Sequence, residues 1–278
     1  MKKIAVLVGT IVMMGGLTAC GGQTQTVIEE AESAGRENVS NVSVNEEYFN
    51  WDGTIIESLT ELGLKQEELI IPEKCTGFKG AVFWKSDVLT KVVFEDDDDI
   101  GLNGAFEGTA SLEEVILPAQ LSTIGDMEFN NCKNLKRINI PENVKVLSWS
   151  AFGNCESLEN VEFSNSTIEE IGESAFVLCE SLKEVKLPET VGKIGKDAFY
   201  RAGLESVTLP IAIKEIGAAA FSGNLKDVYV PEGVELENVD SSAFTQISEQ
   251  PVAHVVEGSW ADLNFEQWSG TITEKVYD

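Results

Sequence analysis

The chain has 278 residues, in which 20 Lys and Arg stand against 47 Asp and Glu, for a formal net charge of −27 at pH 7. A negative charge of this size disfavours nucleic acid and anionic membrane surfaces as partners, because clustered Lys and Arg bind both. The sequence has one histidine, His254, and contains no Gly-x-Ser-x-Gly, phosphate-loop or His-Glu-x-x-His motif. We therefore expect no enzyme activity, no metal site, no cofactor and no nucleic-acid partner.

Residues 1–19 have the layout of an export signal. Lys2 and Lys3 precede a short apolar run over residues 4–17, and Leu-Thr-Ala-Cys follows, ending at Cys20. The run is too short to span a bilayer and is typical of a removable signal peptide. Its last four residues resemble the lipobox of bacterial lipoproteins, which implies cleavage before Cys20 and attachment of a lipid to that cysteine. An ordinary secretory signal is the alternative interpretation.

Residues 20–46 are predicted to form a disordered tether that carries the lipidated Cys20. The segment has no aromatic residue and is rich in Gly, Thr, Glu and Ser, so it has too little apolar surface to offset the entropy of ordering the chain. Residues 47–278 form the predicted folded domain, with an N-terminal cap over 47–72, repeating coils over 73–247 and a C-terminal cap over 248–278.

A repeat with a period near 23 residues dominates the folded domain. One phenylalanine recurs at successive spacings of 23, 23, 23, 24, 23, 22 and 23 residues, at Phe83, Phe106, Phe129, Phe152, Phe176, Phe199, Phe221 and Phe244. A fixed period in the twenties is typical of a leucine-rich-repeat solenoid, in which stacked units share one core. We expect the eight rings to form one internal column.

Five units contain the pattern Leu-x-x-Val-x-Leu-Pro, with Ile or Val at some apolar positions, at residues 112–118, 135–141, 182–188, 204–210 and 225–231; Glu95 and Ser164 replace the proline in two others. The alternating apolar residues predict a short strand, and proline ends it because it lacks the next ladder donor. An Ile-Gly pair then predicts a tight bend before Ala-Phe. The predicted fold is a right-handed solenoid of about eight coils, α/β-horseshoe-like, with mostly short parallel strands, turns and short helical segments, capped at both ends.

The unit Leu-x-x-Val-x-Leu-Pro…Ile-Gly-x-x-Ala-Phe-x-x-Cys resembles the BspA-like subfamily of leucine-rich repeats over residues 51–247. The resemblance implies a bacterial surface protein that binds host matrix or plasma proteins or attaches to other cells. The chain departs from the family in its small number of coils and in lacking a visible wall-anchoring or further binding domain.

Three cysteines, Cys132, Cys155 and Cys179, each follow a repeat phenylalanine by three residues, where other coils carry small residues. We expect a ladder of buried thiols here, with a metal site or a disulfide as the alternative. Cys75 lies outside this column, and its state stays open.

Residues 95–99 form a run of five acids, Glu-Asp-Asp-Asp-Asp. Consecutive carboxylates do not converge without a specially bent loop, so we favour a solvated loop over a calcium site. Near the C-terminus, Trp260, Phe265 and Trp268 are expected to plug the open end of the core. A sugar-stacking platform is the alternative.

Strand residues that alternate with the buried ones predict a nearly neutral strip on the outer face of the sheet, which we expect to recognise the partner. The alternative interpretation of this strip is that its charged residues only form ion pairs between neighbouring strands. The strip consists of Lys91, Val93, Glu114, Ile116, Arg137, Asn139, Asn160, Glu162, Glu184, Lys186, Ser206, Thr208, Asp227 and Tyr229.

The sequence therefore predicts an exported monomer, lipid-anchored to the outer face of a bacterial membrane at the cell surface. Its contact with the membrane is through the lipid anchor only. Its solenoid is expected to bind a protein ligand of the host matrix or of a neighbouring cell. The alternatives are a carbohydrate-capturing surface lipoprotein and an envelope scaffold or enzyme inhibitor.

Overall fold

A computed structural model of the protein describes residues 46–163, 167–246 and 249–277. The predicted signal peptide, Cys20 and the tether up to residue 45 lie outside the described residues. Short strands recur along the described chain, and they are β1 Phe49–Asp52, β2 Ile55–Leu59, β3 Glu68–Ile71, β4 Gly77–Phe78, β5 Lys91–Phe94, β6 Glu114–Ile116, β7 Arg137–Asn139, β8 Val146–Leu147, β9 Asn160–Glu162, β10 Glu170–Ile171, β11 Lys193–Ile194, β12 Ser206–Thr208, β13 Glu215–Ile216, β14 Asp227–Val230, β15 Asn238–Val239, β16 Val252–Val255 and β17 Glu274–Tyr277.

The Leu-x-x-Val-x-Leu segments build one parallel ladder, which we call the front ladder. In it β3, β5, β6, β7 and β9 pair in that order, and β12, β14, β16 and β17 pair in a second run. Residues one repeat apart face each other, as Lys91 faces Glu114 and Arg137 faces Asn160. Because alternate strand residues point to opposite faces, the central valine of each strand enters the core.

The coil at residues 182–188 differs from the prediction, because it forms no strand in this structure. Its side chains still alternate, with Leu182, Val185 and Leu187 buried and Glu184 and Lys186 exposed. The strand position is 24 residues from the preceding one, at Asn160, and 22 from the following one, at Ser206. The front ladder is interrupted here, between β9 and β12, although spacings of 21 and 25 residues do not prevent pairing further along it.

The Ile-Gly bends build a second parallel ladder, the lateral ladder. It runs through β8, β10, β11, β13 and β15, and an isolated bridge from Ile124 to Leu147 extends it by one coil. Toward the N-terminus, β2 pairs in parallel with β4, and Gly77 bridges to Gly101. Among the described residues no bridge joins Gly101 to Ile124, so the lateral ladder also has a gap.

The predicted phenylalanine column is confirmed. All eight rings are buried, with at most 3% of any one exposed. From Phe106 to Phe244 consecutive ring centroids lie 4.9–5.6 Å apart with interplanar angles of 17° or less. The first step, from Phe83 to Phe106, is more tilted, at 31°.

In the turns that contain the phenylalanine column, neighbouring coils are joined by main-chain hydrogen bonds and not by paired strands. Met127 N, Phe129 N and Asn131 N donate to carbonyl oxygens of the next coil at 2.8–2.9 Å. Positions two before and two after the phenylalanine aim these amides along the stack by adopting the left-handed conformation. Non-glycine residues there include Asn131 (φ 61°) and Arg201 (φ 53°).

At the N-terminal end, β1 and β2 form an antiparallel pair, flanked by 3₁₀ turns at Glu46–Tyr48 and Gly63–Lys65. At the C-terminal end, β16 and β17 extend the front ladder beyond the last repeat phenylalanine. The fold therefore has about nine turns rather than eight. Short α-helices, α1 Trp260–Leu263 and α2 Phe265–Trp268, connect β16 to β17.

The helical segments are short, in agreement with the predicted fold class. Over residues 46–163, 167–246 and 249–277, no helix combines the length and apolar character needed to cross a bilayer.

Candidate functional site

The predicted strip lies on the outer face of the front ladder, except for Glu184 and Lys186, which belong to the unpaired coil. One member differs from the prediction, because Val93 is 4% exposed and therefore buried. Ile70 and Ile116 face it from the adjacent strands, and at one strand spacing their side chains shield it. The exposed members are Arg137, Asn139, Asn160, Glu162, Glu184, Lys186 and Thr208.

The N-terminal half of the strip is tied together by ion pairs. Glu114 Oε2 lies 2.9 Å from Lys91 Nζ, and Glu114 Oε1 accepts a hydrogen bond from Arg137 Nη2 at 2.6 Å. Partial burial raises the pKa of Glu114, but the hydrogen bonds from Lys91 and Arg137 outweigh it, and the net pKa lies below its ordinary value. Charge pairing, which was the alternative for this face, therefore describes these three residues.

The C-terminal half of the strip carries an aromatic cluster that the sequence analysis only half identified. The rings of Tyr229 and His254 stack with centroids 4.2 Å apart, and His254 Nε2 lies 2.9 Å from Asp227 Oδ1. His254 lies in the predicted C-terminal cap, 25 residues after Tyr229. In the structure β16 pairs with β14 and brings His254 into the same row.

The acids of residues 95–99 bind the backbone of neighbouring turns. Asp99 accepts hydrogen bonds from Ser122 N at 2.9 Å and from Ser122 Oγ at 2.7 Å. Glu95 Oε2 accepts from Glu73 N at 3.0 Å, in the preceding coil. Within the described ranges, no three Asp, Glu, His or Cys side chains are arranged to hold a metal ion. The calcium interpretation of this loop gains no support from its geometry.

The cysteines form the predicted ladder of buried thiols. Cys132, Cys155 and Cys179 are free, and each donates to the carbonyl of the phenylalanine one coil back, at 3.1–3.2 Å. Burial raises the pKa of all three thiols. Cys75 is also free and buried, and its Sγ lies 3.3 Å from Gly77 O.

The aromatic residues after β16 pack against the end of the column. Trp268 is 1% exposed, meets Phe244 edge-on at 6.4 Å and donates from Nε1 to Ala261 O at 2.8 Å. Trp260 and Phe265 are partly buried against the same core. Trp268 is therefore not available to stack on a sugar.

Glu128 is an unusual residue that the sequence analysis overlooked. It precedes Phe129, and six other coils bury an alanine at this position, namely Ala105, Ala151, Ala175, Ala198, Ala220 and Ala243. Glu128 is itself only 1% exposed. Its Oε2 accepts a hydrogen bond from Gly104 N at 2.8 Å, where regular coils use a main-chain carbonyl. The break in the Ala-Phe pattern was the signal that could have identified it.

Burial governs the chemistry of this carboxyl group. It raises the pKa of Glu128 to about 7, with a small contribution from the charge of Glu107, against the opposing effect of the amides of Gly104, Ala105 and Phe106. Its second oxygen, Oε1, is buried and has no hydrogen-bond partner among the described residues. A buried, unsatisfied carboxylate oxygen is costly, so burial favours the protonated form of the Glu128 carboxyl group.

Comparison with known proteins fits this architecture. The model of the BspA type leucine rich repeat region matches six copies, over residues 55–169, 100–226 and 150–253. The chain belongs to this family. BspA-type proteins are bacterial surface proteins with a solenoid fold typical of binding and scaffold proteins.

Among solved structures, a leucine-rich-repeat protein of T. pallidum is 25% identical, with a TM-score of 0.55, and the match covers 83% of this chain and 98% of that one. A leucine-rich-repeat protein from Bacteroides ovatus is 18% identical, with a TM-score of 0.47, over 86% of this chain and 76% of that one. A leucine-rich cell surface protein from Faecalibacterium prausnitzii is 18% identical, with a TM-score of 0.38, over 81% and 83%. No curated protein matches the chain.

Proposed function

We propose that this BspA-type protein is an exported bacterial lipoprotein that binds a protein partner along the outer face of its front ladder. Lipid attachment to Cys20 would hold it at the outer face of the membrane, and residues 21–46 would act as the tether. The partner would be a protein of the host matrix or of a neighbouring cell.

The observation that carries this proposal is the charge balance of the strip. It contains three basic residues and four acidic ones, a net charge of −1, on a chain at −27. Lys91 and Arg137 both form ion pairs with Glu114, and the stacked Tyr229 and His254 provide an aromatic contact at the other end. A long, nearly neutral face with an aromatic cluster suits a protein partner, since charged residues are depleted at interface cores and Tyr and Arg are enriched.

The binding experiment compares two variants that each lose one basic residue and one tyrosine. Arg137→Ala/Tyr229→Ala removes one basic residue and one tyrosine from the strip, whereas Lys145→Ala/Tyr200→Ala removes the same types outside it. Cells producing the full chain are treated with a crosslinker, and attached proteins are identified by mass spectrometry. We expect the wild type and the control to capture the same protein in similar amounts. The strip variant should capture at least about tenfold less of it. Undiminished capture by the strip variant would refute a role for this face.

The anchoring experiment follows incorporation of radiolabelled palmitate into the full chain. We expect the wild type to be labelled and to fractionate with membranes. The Cys20→Ser variant should lose the label and appear in the medium, because one cysteine carries the whole anchor. Equal labelling of both chains would show that Cys20 is not the lipidated residue.

A further inference from the structure

Both ladders lose pairing at one junction of the solenoid, between the coil that carries Phe106 and the coil that carries Phe129. In the lateral ladder, no bridge joins Gly101 to Ile124 among the described residues. In the front ladder, β6 and β7 pair at a single position, whereas β5 pairs with β6 over three residues, and so does β7 with β9. Where the front ladder is interrupted around residues 182–188, the lateral ladder is continuous through β10, β11 and β13. We call the junction that is weakened on both sides the weak junction.

The turns that contain the phenylalanine column are also weakened at this junction. In the four coils that follow, three amides per turn donate to carbonyl oxygens of the next coil. At the weak junction only Gly108 N keeps such a bond, to Asn130 O at 2.8 Å. Gly104 N donates instead to Oε2 of Glu128, also at 2.8 Å, and Phe106 N has no main-chain acceptor within the described residues. A carboxyl group therefore lies where other coils have main-chain hydrogen bonds.

The weak junction is held closed mainly by buried contacts. The rings of Phe106 and Phe129 remain stacked across it at 4.9 Å, and Cys132 Sγ donates to Phe106 O at 3.1 Å. On the surface, Glu114 forms an ion pair with Arg137 at 2.6 Å, but exposed ion pairs contribute little to stability. The closed state therefore depends on the free energy of burying the groups between the two coils.

Glu128 makes the closed state depend on its own protonation. The side chain is 1% exposed, and its Oε1 has no hydrogen-bond partner in the described chain. Burial raises the pKa of Glu128 to about 7, because a carboxylate that is cut off from water is costly. In an opened junction the carboxylate reaches water, and its pKa returns towards the ordinary value of 4.5. The proton is therefore bound more tightly in the closed state than in an open one.

No basic group near Glu128 compensates its charge. Asp99 and Glu107 on the preceding coil, and Asp126 on its own coil, line the same cleft between the two coils, and no Lys, Arg or His is among the described residues that line it. The charge of Glu107 raises the pKa of Glu128 further. On the same coil, the thiol of Cys132 lies close enough for the charge of Glu128 to raise its pKa. The following coil presents a buried, uncharged alanine at the equivalent position.

We propose that the weak junction is a pH-sensitive hinge, which opens locally when Glu128 loses its proton. The neutral carboxyl group stays buried at low pH, and the two coils remain closed. As pH rises from 4.5 to about 7, the open state gains increasingly by releasing the proton, and above this window the gain is constant. A pKa difference of this size raises the opening constant by up to about 300-fold.

The hinge is a property of the chain itself and requires no partner. Six other coils bury an alanine at the position of Glu128, so their junctions have no equivalent dependence on pH. The strip on the front ladder crosses the weak junction between Glu114 and Arg137. Opening would therefore divide the face that we propose as the binding surface.

The first test measures hydrogen exchange of the full chain at pH 5 and pH 8, with protection factors that correct for the intrinsic effect of pH on exchange. The amides of Gly104 and Gly108 report on the weak junction. The amide of Phe152, which donates to Ala175 O at 2.8 Å, reports on a regular one. Between the two pH values, we expect protection at the weak junction to fall at least about tenfold more than protection at Phe152.

The thiol ladder provides a second readout. Cys132 Sγ bonds across the weak junction to Phe106 O, whereas Cys155 Sγ bonds across the next junction to Phe129 O. Labelling by N-ethylmaleimide at pH 8 is normalised to the rate of each thiol in guanidinium chloride. We expect the normalised rate of Cys132 to exceed that of Cys155 by at least about tenfold, because local opening exposes only the first.

Matched variants separate Glu128 from the other acids. Glu128→Gln keeps the shape of the side chain without its charge, so protection at Gly104 and Gly108 should fall no more than at Phe152. Glu142→Gln removes an exposed acid from the same coil and should retain the wild-type dependence on pH.

An equal loss of protection in all coils would overturn the proposal, because Glu128 would then affect only global unfolding. A selective loss that persists in Glu128→Gln would also overturn it, since the titrating group would lie elsewhere. If circular dichroism shows that the glutamine variant does not fold, Glu128→Ala replaces it, because alanine is the residue of the other coils.

Discussion

Phe129 and Phe152 lie ring over ring, with their planes 1° apart and their centroids 5.2 Å apart. Both rings are fully buried, and each contacts the ring of the coil on either side. The core of the protein is therefore a chain of nearest-neighbour contacts, in which the loss of one ring affects two interfaces.

Phe152→Ala should lower the free energy of unfolding by about 3–5 kcal/mol, because it removes a buried ring and leaves a cavity inside the column. Phe152→Leu fills part of the space and should cost less. Urea denaturation followed by circular dichroism measures both. Tyr200→Ala, at an exposed ring one residue after the column position Phe199, is the control and should change stability by less than about 1 kcal/mol. A small effect at Phe152 would contradict a shared core.

Glu128→Gln should stabilise the protein at pH 8 but not at pH 4. The folded-state pKa of Glu128 is about 7, against an ordinary value of 4.5, so the folded chain retains a proton that the unfolded chain has lost between these values. Stability therefore falls as pH rises through this window, and the penalty is constant above it. A shift of this size corresponds to about 3 kcal/mol.

The measurement for Glu128 is the difference in unfolding free energy between wild type and Glu128→Gln at several pH values. Taking the difference removes the contribution of other acids, such as Glu114, whose lowered pKa acts in the opposite direction. Glu128→Ala, which restores the residue of the other coils, should be stabilising at pH 8 as well. A difference that does not change with pH would show that folding does not raise the pKa of Glu128.

Arg201→Asn should raise the free energy of unfolding by about 0.5–1 kcal/mol. Arg201 holds a left-handed backbone at φ 53°, which costs energy for most side chains and less for asparagine. Asn131 and Asn154 already occupy the equivalent position in earlier coils, with the same conformation. Lys186→Asn is the control, because it replaces an exposed basic residue whose backbone does not have a positive φ. Thermal unfolding should show no comparable gain in stability for this variant.

The thiols of Cys132, Cys155 and Cys179 should react with N-ethylmaleimide at least about a hundredfold more slowly in the native protein than in guanidinium chloride. They are buried, burial raises their pKa, and only thiolate reacts. Alkylation followed by peptide mass spectrometry measures each site separately. Rapid native labelling, or a peptide pair linked by a disulfide, would contradict the thiol ladder.

The repeated sequence pattern was sufficient to predict the solenoid, because each coil buries the same apolar positions against its neighbours. The spacing from Phe83 to Phe244 predicted the column, and the valines between outward-facing residues predicted the front ladder. The prediction failed where contacts depend on neighbouring coils. Val93 reads as an outward residue, but Ile70 and Ile116 shield it.

The candidate sites were less predictable than the fold, because they lie where the repeat is irregular. His254 joins the front ladder ten residues after Phe244, the same distance that separates Val93 from Phe83, but the leucine and proline of the strand pattern are absent around it. Glu128 could have been noticed as a substitution in the alanine column, but its burial and its raised pKa depend on backbone geometry. The segment 182–188 has the best repeat signature in the chain and still does not pair as a strand.

The phenylalanine column also determines how easily the length of the solenoid can change. Since Phe176 presents nearly the same two faces as Phe152 and Phe199, one whole period can be removed or duplicated without designing a new interior. The number of coils can therefore change without altering how the remaining coils pack against one another.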